Sequence, residues 1–262
     1  MQKGELLTFY KYQGTGNDFV IIDNRQNSFD KSDTERIAFL CDRKFGIGAD
    51  GLILLENEET VDFRMVYFNS DGNESSMCGN GGRCIVAFAK KLGIIDNQAK
   101  FIAIDGLHHA EIHDDDVSLS MKDVAEVREK PAYFFLNTGS PHHVQLVNEL
   151  DSFNVYEEGA RLRYGLYGKK GSNINFVQQV RDGAFKIRTY ERGVENETLS
   201  CGTGVTAAAL AMHRAGKVDA NEIGIETQGG HLSVAFTEEN GTYTSVRLNG
   251  PAKFIFKGEI AW

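Results

Sequence analysis

A nine-residue motif occurs twice in the chain, and this repeat constrains the fold more than any other feature of the sequence. The copies at Asn73–Gly81 and Asn196–Gly204 share the pattern Asn-Glu-Ser/Thr-x-x-Cys-Gly-x-Gly, with an offset of 123 residues. The same offset relates Thr15-Gly16 to Thr138-Gly139. A constant offset over this much of the chain predicts a duplicated unit, so the two halves are expected to share one fold.

Each copy of the motif leads into a nearly apolar segment, Cys84–Ala89 in the first half and Val205–Met212 in the second. Gly93 and Gly216 follow these segments and obey the same offset. Glycine is favoured just after the end of a helix, because it adopts the left-handed backbone conformation without strain. We therefore predict one buried helix in each half, with the cysteine of the motif at its N-terminus.

The two motif cysteines, Cys78 and Cys201, are the candidate catalytic residues. The first N–H groups of a helix have no acceptor within the helix, and the positive end of its dipole lies there. Such a position favours an anion, so it acidifies a thiol and attracts the carboxylate of a ligand.

Composition excludes several classes of protein. The chain has 262 residues, 28 of them basic and 37 acidic, and a net charge of −9 at pH 7. This balance, without any basic run, disfavours nucleic acid as a partner. There is no apolar run of eighteen residues and no apolar signal-peptide core, so we expect a cytoplasmic protein without a membrane span. The four cysteines fit neither a disulfide scaffold nor a zinc site.

The length and the repeat together predict two domains. Short strand-like segments and glycine turns surround each predicted helix, and the charged stretch Lys122–Lys130 separates the two halves. We expect the first domain at residues 1–121, with a last strand in 251–262 returning to it. The second domain is expected at residues 122–250.

Polar residues lie at predicted turns close to these motifs. Asn17 follows one glycine turn and can face a ligand, and His142 follows the equivalent turn of the second half. Arg192 precedes the second motif and is the counterpart of Asn69 by the offset, so both are expected to line one site. A surface ion pair of Arg192 with Glu191 is the alternative interpretation of that charged pair.

Two equivalent thiols suggest a symmetric reaction. If the two halves face each other, Cys78 and Cys201 would approach one carbon atom from opposite sides. A thiolate on one face could remove the α-proton of an amino acid, and a thiol on the other face could return it, which inverts the centre. The helix N-termini would stabilise the charge that develops on the carboxylate.

At these residues the chain resembles the diaminopimelate epimerase family. The resemblance covers nearly the whole chain and rests on several motifs in a fixed order, which are Lys11–Phe19, Phe45–Gly51, Asn69–Gly72, Met77–Gly81, Gly139–His142, Tyr190–Gly193 and Cys201–Gly204.

The resemblance implies an α+β fold of two pseudo-symmetric domains, each a β-barrel-like sheet wrapped round a central buried helix. It implies an isomerase that interconverts LL- and meso-2,6-diaminoheptanedioate in the synthesis of lysine and peptidoglycan precursors. It also implies that the partner is this small-molecule substrate, that neither pyridoxal phosphate nor a metal takes part, and that the protein forms a homodimer.

The resemblance also assigns roles to individual residues. Cys78 and Cys201 would be the two acid/base groups. The reacting carboxylate would be held by the backbone amides around Gly79, Asn80, Gly202 and Thr203. The reacting ammonium would contact Asn17 and Glu191, and the distal end of the substrate would contact Asn69, Asn173 and Arg192. His142 and Glu191 would tune the thiols.

Three positions depart from the pattern of the family. Ser140 stands where asparagine is frequent, and Gly51 stands where some members carry glutamine. One extra residue lies in the segment Val194–Glu197. These departures put single substrate contacts and one loop in doubt, and none of them changes the thiols.

Three other classes of protein share part of this pattern. Proline racemases also carry a Cys-Gly-x-Gly motif in each half, but they typically have histidine where this chain has Asn80. A cysteine hydrolase could pair Cys78 or Cys201 with His142, but it would leave the second cysteine unexplained. A noncatalytic binding module could join the two cysteines in a disulfide, which the expected cytoplasmic location disfavours.

Overall fold

The computed structural model describes residues 6–261, and their contacts divide the chain into two units. One unit contains the chain up to Leu119 together with the segment from Pro251 onward. The other unit spans Ser120–Gly250.

The elements from the N-terminus to the first boundary are β1 (Leu6–Gly14), β2 (Asn17–Asp23), α1 (Thr34–Cys41), β3 (Gly51–Glu56), β4 (Phe63–Asn69), α2 (Gly79–Lys91), β5 (Gln98–Ala103), β6 (Gly106–His113) and β7 (Asp116–Ser120). Those that follow are β8 (Val127–Glu129), β9 (Phe134–Asn137), β10 (Pro141–Leu146), α3 (Val155–Gly165), β11 (Asn173–Arg181), β12 (Ala184–Glu191), β13 (Asn196–Thr198), α4 (Gly202–Arg214), β14 (Glu222–Thr227), β15 (Gly230–Glu239) and β16 (Thr242–Pro251). The last strand, β17 (Lys253–Ala261), pairs antiparallel with β1 in the first unit.

The same strand order occurs in both units. In the first, neighbouring strands follow the order β17-β1-β2-β3-β4-β5-β6-β7, with parallel pairs at β2–β3 and β4–β5. In the second, the order is β8-β9-β10-β11-β12-β14-β15-β16, with parallel pairs at β10–β11 and β12–β14. All other pairs are antiparallel. The α+β fold class and the duplication predicted from the sequence are confirmed.

A buried helix lies against the strands of each unit, as predicted. Helix α2 contacts β1, β2, β3, β4, β6 and β17, and α4 contacts strands from β8 to β12 together with β14 and β15. Ten of the thirteen residues are buried in each helix. None of the helices formed by residues 6–261 is both long and apolar enough to cross a membrane.

The two buried helices end at the predicted glycines. Gly93 has a φ of +69° and Gly216 a φ of +63°, the left-handed conformation in which a side chain would be strained. Their N–H groups donate to Lys90 O and His213 O at 3.0 Å and 2.9 Å. The two glycines therefore predicted correctly where both helices end.

Two segments differ from the sequence interpretation. The stretch before Gly171 carried no prediction, and it contains α3, whose N-cap Asn154 accepts a hydrogen bond from Glu157 N at 3.2 Å. Only three residues of this helix are buried, which are Val155, Gly159 and Arg163. The helix therefore has no clear apolar stripe, which is the sequence signal that predicts a helix. The predicted linker Lys122–Lys130 contains strand β8, which pairs with β9.

Because α4 lies in the core of the second unit, substitution of a buried leucine in it should destabilise the protein far more than substitution of an exposed leucine. Leu210 on α4 is fully buried, whereas Leu166 is 49% exposed. We expect Leu210→Ala to lower the free energy of unfolding by about 2–5 kcal/mol, because it leaves a cavity in the core. Leu166→Ala should change it by less than about 0.5 kcal/mol. Urea denaturation followed by circular dichroism measures both values, and equal losses would contradict the central position of α4.

Candidate active site

Helix α2 begins directly after Cys78, whose backbone is extended with φ −96° and ψ 127°. The Cys78 side chain makes no capping hydrogen bond, and the first helical bond runs from Gly82 N to Cys78 O at 2.7 Å. The N–H groups of Gly79, Asn80 and Gly81 therefore have no acceptor within the helix. The half-buried thiol of Cys78 lies at the positive end of the helix dipole.

Helix α4 begins in the same way after Cys201, with φ −120° and ψ 108° at the N-cap and no capping bond from its side chain. The first helical bond runs from Val205 N to Cys201 O at 2.8 Å. The Cys201 thiol is 8% exposed and lies 3.5 Å from Thr203 Oγ1. Both cysteines thus occupy equivalent helix N-caps, as the repeat predicted.

The second glycine of each motif lets the helix approach its own sheet. A Cβ added at Gly204 would lie 2.5 Å from Asn175 Oδ1, and one added at Gly81 would lie 3.1 Å from Ile53 Cδ1. The first of these distances is impossible without movement of Asn175. Close helix packing is therefore a physical reason for glycine at these positions, in addition to the access that a small residue gives to a ligand.

The side chain of Asn17 is oriented by Asp50. Asn17 Nδ2 donates to Asp50 Oδ2 at 2.7 Å, and a carboxylate can only accept, so the amide oxygen points the other way. Asn17 Oδ1 lies 3.5 Å from Cys78 Sγ and 3.3 Å from Asn80 Nδ2. The first unit therefore brings Asn17, Cys78 and Asn80 together, as predicted, with an oxygen acceptor beside the thiol.

Two carboxylates, Asp18 at the start of β2 and Asp50 just before β3, are held by two cations. Lys11, which is 7% exposed, pairs with Asp18 at 2.8 Å, and Arg43 pairs with Asp18 at 2.7 Å and with Asp50 at 2.8 Å. Burial alone would raise the pKa of Asp18, but the hydrogen bonds from Arg43 and Lys11 outweigh it and lower this pKa to about 2. The network keeps the carboxylate that orients Asn17 in place.

A buried threonine joins each motif to the glycine turn of its unit. Thr15 Oγ1 lies 3.5 Å from Asn80 Oδ1 in the first unit, and Thr138 Oγ1 donates to Thr203 O at 2.9 Å in the second. Both threonines are at most 2% exposed. The repeated Thr-Gly pair, which the sequence identified only as a landmark, therefore positions the first turn of each helix.

His142 is fully buried on β10, and two amide side chains, Asn173 and Asn175, flank its ring. Asn175 Nδ2 donates to His143 O at 2.8 Å, which orients the amide, and the same nitrogen lies 3.1 Å from His142 Nδ1. His142 Nδ1 therefore accepts a hydrogen bond from Asn175. Burial lowers the pKa of His142 to about 3, with a smaller contribution from the positive charge of Arg192, so the ring is neutral at physiological pH.

Asn173, Ser140 and Arg192 form one cluster. Asn173 Oδ1 accepts from Arg192 N at 2.8 Å, and its Nδ2 donates to Ser140 Oγ at 3.0 Å. Arg192 Nη2 also donates to Ser140 Oγ at 3.2 Å, while its Nη1 donates to Lys170 O at 3.1 Å. The second unit therefore brings together two of the residues expected to bind the distal end of a substrate, Asn173 and Arg192, and His142 Nε2 lies 3.4 Å from Asn173 Nδ2.

Glu191 and Asn69 lie at the ends of equivalent strands. Glu191 Oε2 accepts from Thr198 Oγ1 at 2.8 Å. Asn69 is exposed, and its backbone N–H and carbonyl are both bonded within the turn that follows β4. Arg192 forms none of the ion pairs found within residues 6–261, so the surface pair with Glu191 that the sequence left open is not what holds it.

The structure explains two of the three departures from the pattern of the family. A Cβ at Gly51 would lie 2.5 Å from Phe68 O and 2.6 Å from Tyr67 Cε2, so this backbone leaves no room for a glutamine. The extra residue before the second motif is accommodated by Glu195, which has a φ of +55° and donates its N–H to Glu191 O at 2.8 Å. Its carboxylate pairs with Arg163 at 3.0 Å.

Sequence reasoning missed two residues that orient the site, Asp50 and Asn175. Asp50 precedes Asn173 by 123 residues, as Asn17 precedes Ser140, so the pair Asp50–Asn17 is the counterpart of Asn173–Ser140. The offset could have identified Asp50. Within residues 6–261, no group of three or more His, Cys, Asp or Glu side chains has an arrangement that could hold a metal ion.

Comparison with known proteins identifies similar sequences over nearly the full length. The family model described as diaminopimelate epimerase matches residues 9–127 and 134–255. A protein named diaminopimelate epimerase from Flavobacterium psychrophilum is 62% identical over 97% of this chain and 100% of its own. One with the same name from Chlorobaculum tepidum is 43% identical over 94% of this chain and 98% of its own.

Solved structures show the same fold at low identity. A PhzF-family phenazine biosynthesis protein from Bacillus anthracis superposes with a TM-score of 0.78 and 14% identity, and the match covers 98% of this chain and 99% of the other. A hydroxyproline epimerase from Agrobacterium vitis, solved with trans-4-hydroxy-L-proline, gives a TM-score of 0.72 and 16% identity, over 98% and 92% of the chains. These two proteins share the fold with this chain.

The buried neutral state of His142 predicts a pH dependence of stability. The pKa of His142 is about 3 in the folded protein, against about 6.5 when unfolded, so the unfolded state binds one more proton between these values. Stability is then lost as pH falls from about 6.5 toward 3, by about 1.4 kcal/mol per pH unit from this group.

His142→Gln should reduce that slope by about one proton, whereas His231→Gln, at an exposed position, should leave it unchanged. Urea denaturation at a series of pH values from about 4 to 7 measures the slope. An unchanged slope in His142→Gln would contradict the neutral buried ring.

Proposed function

The chain belongs to the diaminopimelate epimerase family, and we propose that Cys78 and Cys201 are the two acid/base groups of its reaction. The enzyme is an isomerase that interconverts LL- and meso-2,6-diaminoheptanedioate in lysine biosynthesis. The single observation that carries the proposed mechanism is the equivalence of the two cysteines, each at the N-cap of a buried helix without a capping side chain.

The proposed reaction needs one thiolate and one thiol. The thiolate takes the α-proton of the substrate, and the electron pair of the broken C–H bond moves into the carboxylate to form an enediolate. The thiol of the other cysteine then donates its proton to the opposite face of the same carbon. The centre is inverted, the two sulfurs have exchanged protonation states, and no electron is gained or lost. Reversal of the reaction exchanges the roles of the two cysteines.

The helix N-termini support stabilisation of the enediolate. The N–H groups around Gly79 and Asn80, and around Gly202 and Thr203, have no acceptor within their helices and can bind the reacting carboxylate. The additional negative charge develops on this carboxylate in the transition state, so these donors act more strongly there than on the bound substrate. The same positive potential favours the thiolate over the thiol.

Other side chains are proposed to bind the two ends of the substrate. Asn17 Oδ1 is oriented to accept from an ammonium group beside Cys78, and the carboxylate of Glu191 would provide a second acceptor. Asn69, Asn173 and Arg192 would bind the distal amino-acid group. The exposed guanidinium of Arg192 can bind a carboxylate through two parallel hydrogen bonds.

His142 and Glu191 are proposed to tune the thiols. Because burial keeps His142 neutral, it contributes no positive charge to the thiols. The low pKa of His142 also argues against a cysteine hydrolase. In such an enzyme the histidine must take up the proton of the nucleophile near neutral pH.

We further propose that the reaction uses neither pyridoxal phosphate nor a metal, since two thiols complete the proton balance. A cytoplasmic location would keep these thiols reduced. A homodimer is proposed from the resemblance to the family, and Phe256 on β17 is an exposed apolar side chain that a second copy could cover.

Incubation with the LL isomer in deuterium oxide tests the two-thiol mechanism. We expect one deuterium at the α-carbon of the meso product, because a solvent-exchanged thiol supplies the returned proton. Cys78→Ala and Cys201→Ala should each abolish inversion, with a loss of roughly a thousandfold or more.

Buried Cys84 provides the matched control: Cys84→Ala, which removes a thiol without a proposed role, should retain inversion. Mass spectrometry measures deuterium, and chiral chromatography measures the isomers. Inversion at a near wild-type rate in either motif variant would exclude the paired role of the two thiols.

The proposed homodimer predicts a particle of twice the 29.1 kDa chain mass in solution. Size-exclusion chromatography with light scattering at micromolar concentration measures the mass. Phe256→Glu, which replaces an exposed apolar side chain by a charge, should shift the mass toward the monomer. A wild-type mass of one chain at all concentrations would contradict this proposal.

A further inference from the structure

Arg83 is a fully buried cation in the second turn of α2. Its guanidinium donates to four neutral oxygens, which are Gly79 O at 3.3 Å, Asn80 Oδ1 at 3.0 Å, Thr15 Oγ1 at 3.3 Å and Pro251 O at 3.5 Å. Two of these acceptors belong to the first turn of the helix. Arg83 therefore connects the residues that follow Cys78 to the glycine turn beside them.

The charge of Arg83 has no carboxylate partner among residues 6–261. The other strongly buried cations of the described chain do have one: Lys11 pairs with Asp18 at 2.8 Å and Arg163 pairs with Glu195 at 3.0 Å. A buried cation without an anion is costly, and burial lowers the pKa of Arg83. We therefore expect the charge of Arg83 to stabilise an anion that forms near it.

The titratable groups around Arg83 indicate which side chain can become that anion. Cys78 and Cys84 are the groups whose negative charge would act on Arg83. Burial raises the pKa of Cys84 to about 12, so this thiol stays neutral, and burial also raises the pKa of Tyr12 on the adjacent strand β1. Asp115, in the loop before β7, raises the pKa of Tyr12 further, so Tyr12 also stays neutral. Of the two thiols whose charge acts on Arg83, Cys78 is therefore the one that can become an anion.

The equivalent position in the second unit carries no charge. Arg83 corresponds to Thr206 by the offset of 123 residues, and each is the fifth residue of its helix. Thr206 is also fully buried, and its Oγ1 donates to Gly202 O at 3.0 Å, just as Arg83 Nη1 donates to Gly79 O. The hydrogen bond to the helix start is therefore duplicated, whereas the positive charge is present in the first unit only.

We propose that Arg83 is a positioning residue that makes the two thiols unequal, so that Cys78 is the thiolate and Cys201 the thiol of the resting enzyme. This inference rests on the proposed role of the cysteines as a proton-exchanging pair. Arg83 acts through the first turn of α2 and through its charge, and it touches neither substrate nor the reacting carbon. The isomer whose α-proton faces Cys78 then finds the enzyme already in its reactive protonation state.

The test is the pH dependence of alkylation of each thiol, measured on the full-length protein with iodoacetamide and read by mass spectrometry of the two cysteine peptides. In the wild type, Cys78 should react with a midpoint at lower pH than Cys201. In Arg83→Gln, the Cys78 midpoint should rise by about one pH unit or more, while that of Cys201 moves little. Arg83→Lys, which keeps the charge, should retain most of the wild-type difference.

Thr206→Val is the matched control, because it removes the equivalent hydrogen bond of the second helix without removing a charge. It should leave the Cys78 midpoint unchanged, whereas a purely structural role for Arg83 would not predict a charge-dependent shift at one thiol. A wild-type midpoint for Cys201 at or below that of Cys78 would overturn the proposal, even if Arg83→Gln failed to fold. So would an unmoved Cys78 midpoint in folded Arg83→Gln.

These midpoints do not depend on turnover, so the result can be separated from the fate of the proposed function. If Cys78→Ala retained inversion, the catalytic role of the thiol would be lost, but the ionisation of wild-type Cys78 could still be compared with that of Arg83→Gln. If both cysteine variants were inactive and the midpoints were equal, the two-thiol mechanism would stand and the role of Arg83 would be wrong.

Discussion

Each unit depends on burying a helix whose first turn lacks a capping side chain. Serine, threonine, aspartate or asparagine at the N-cap would stabilise such a helix by about 1 kcal/mol, but its oxygen would occupy the N–H groups of the first turn. Cysteine stands there instead, as Cys78 and Cys201, and it makes no capping bond. Burial of ten residues in each helix offsets the weaker start, and the positive helix end stays available for an anion.

The duplicated units keep their strand order and helix position, whereas their polar residues have diverged. Asn17 bonds to a carboxylate and points its oxygen at Cys78, but its counterpart Ser140 bonds to Asn173. The same divergence places a histidine, His142, beside the polar cluster of the second unit, where Asn175 orients it. Backbone packing constrains the scaffold in both halves alike, because strands and helix must bury the same surfaces. Both ends of the substrate carry the same amino and carboxyl groups, but only one end reacts, so the side chains proposed to bind the two ends need not match.

A shared fold does not by itself assign an activity. The PhzF-family protein and the hydroxyproline epimerase have this architecture at 14% and 16% identity, so they support the fold alone. The activity follows from relatives that are 62% and 43% identical over nearly the full chain. The proline racemase interpretation predicts histidine at the position of Asn80, whose amide instead bonds to Asn17 and Arg83.

The sequence by itself determined the duplication, the two helices with their terminal glycines and the cysteines at their starts, because these depend on local chain chemistry: apolar periodicity, left-handed glycine and N-terminal N–H groups. The tertiary structure decided which polar groups orient the site. Asp50 lies 33 residues from Asn17 along the chain, and Asn175 lies 33 from His142. Contacts at such separation arise from strand pairing, which places distant residues side by side, and no local pattern records them. Burial is also a property of the folded chain, so the neutral His142 and the buried charge of Arg83 could be recognised only there.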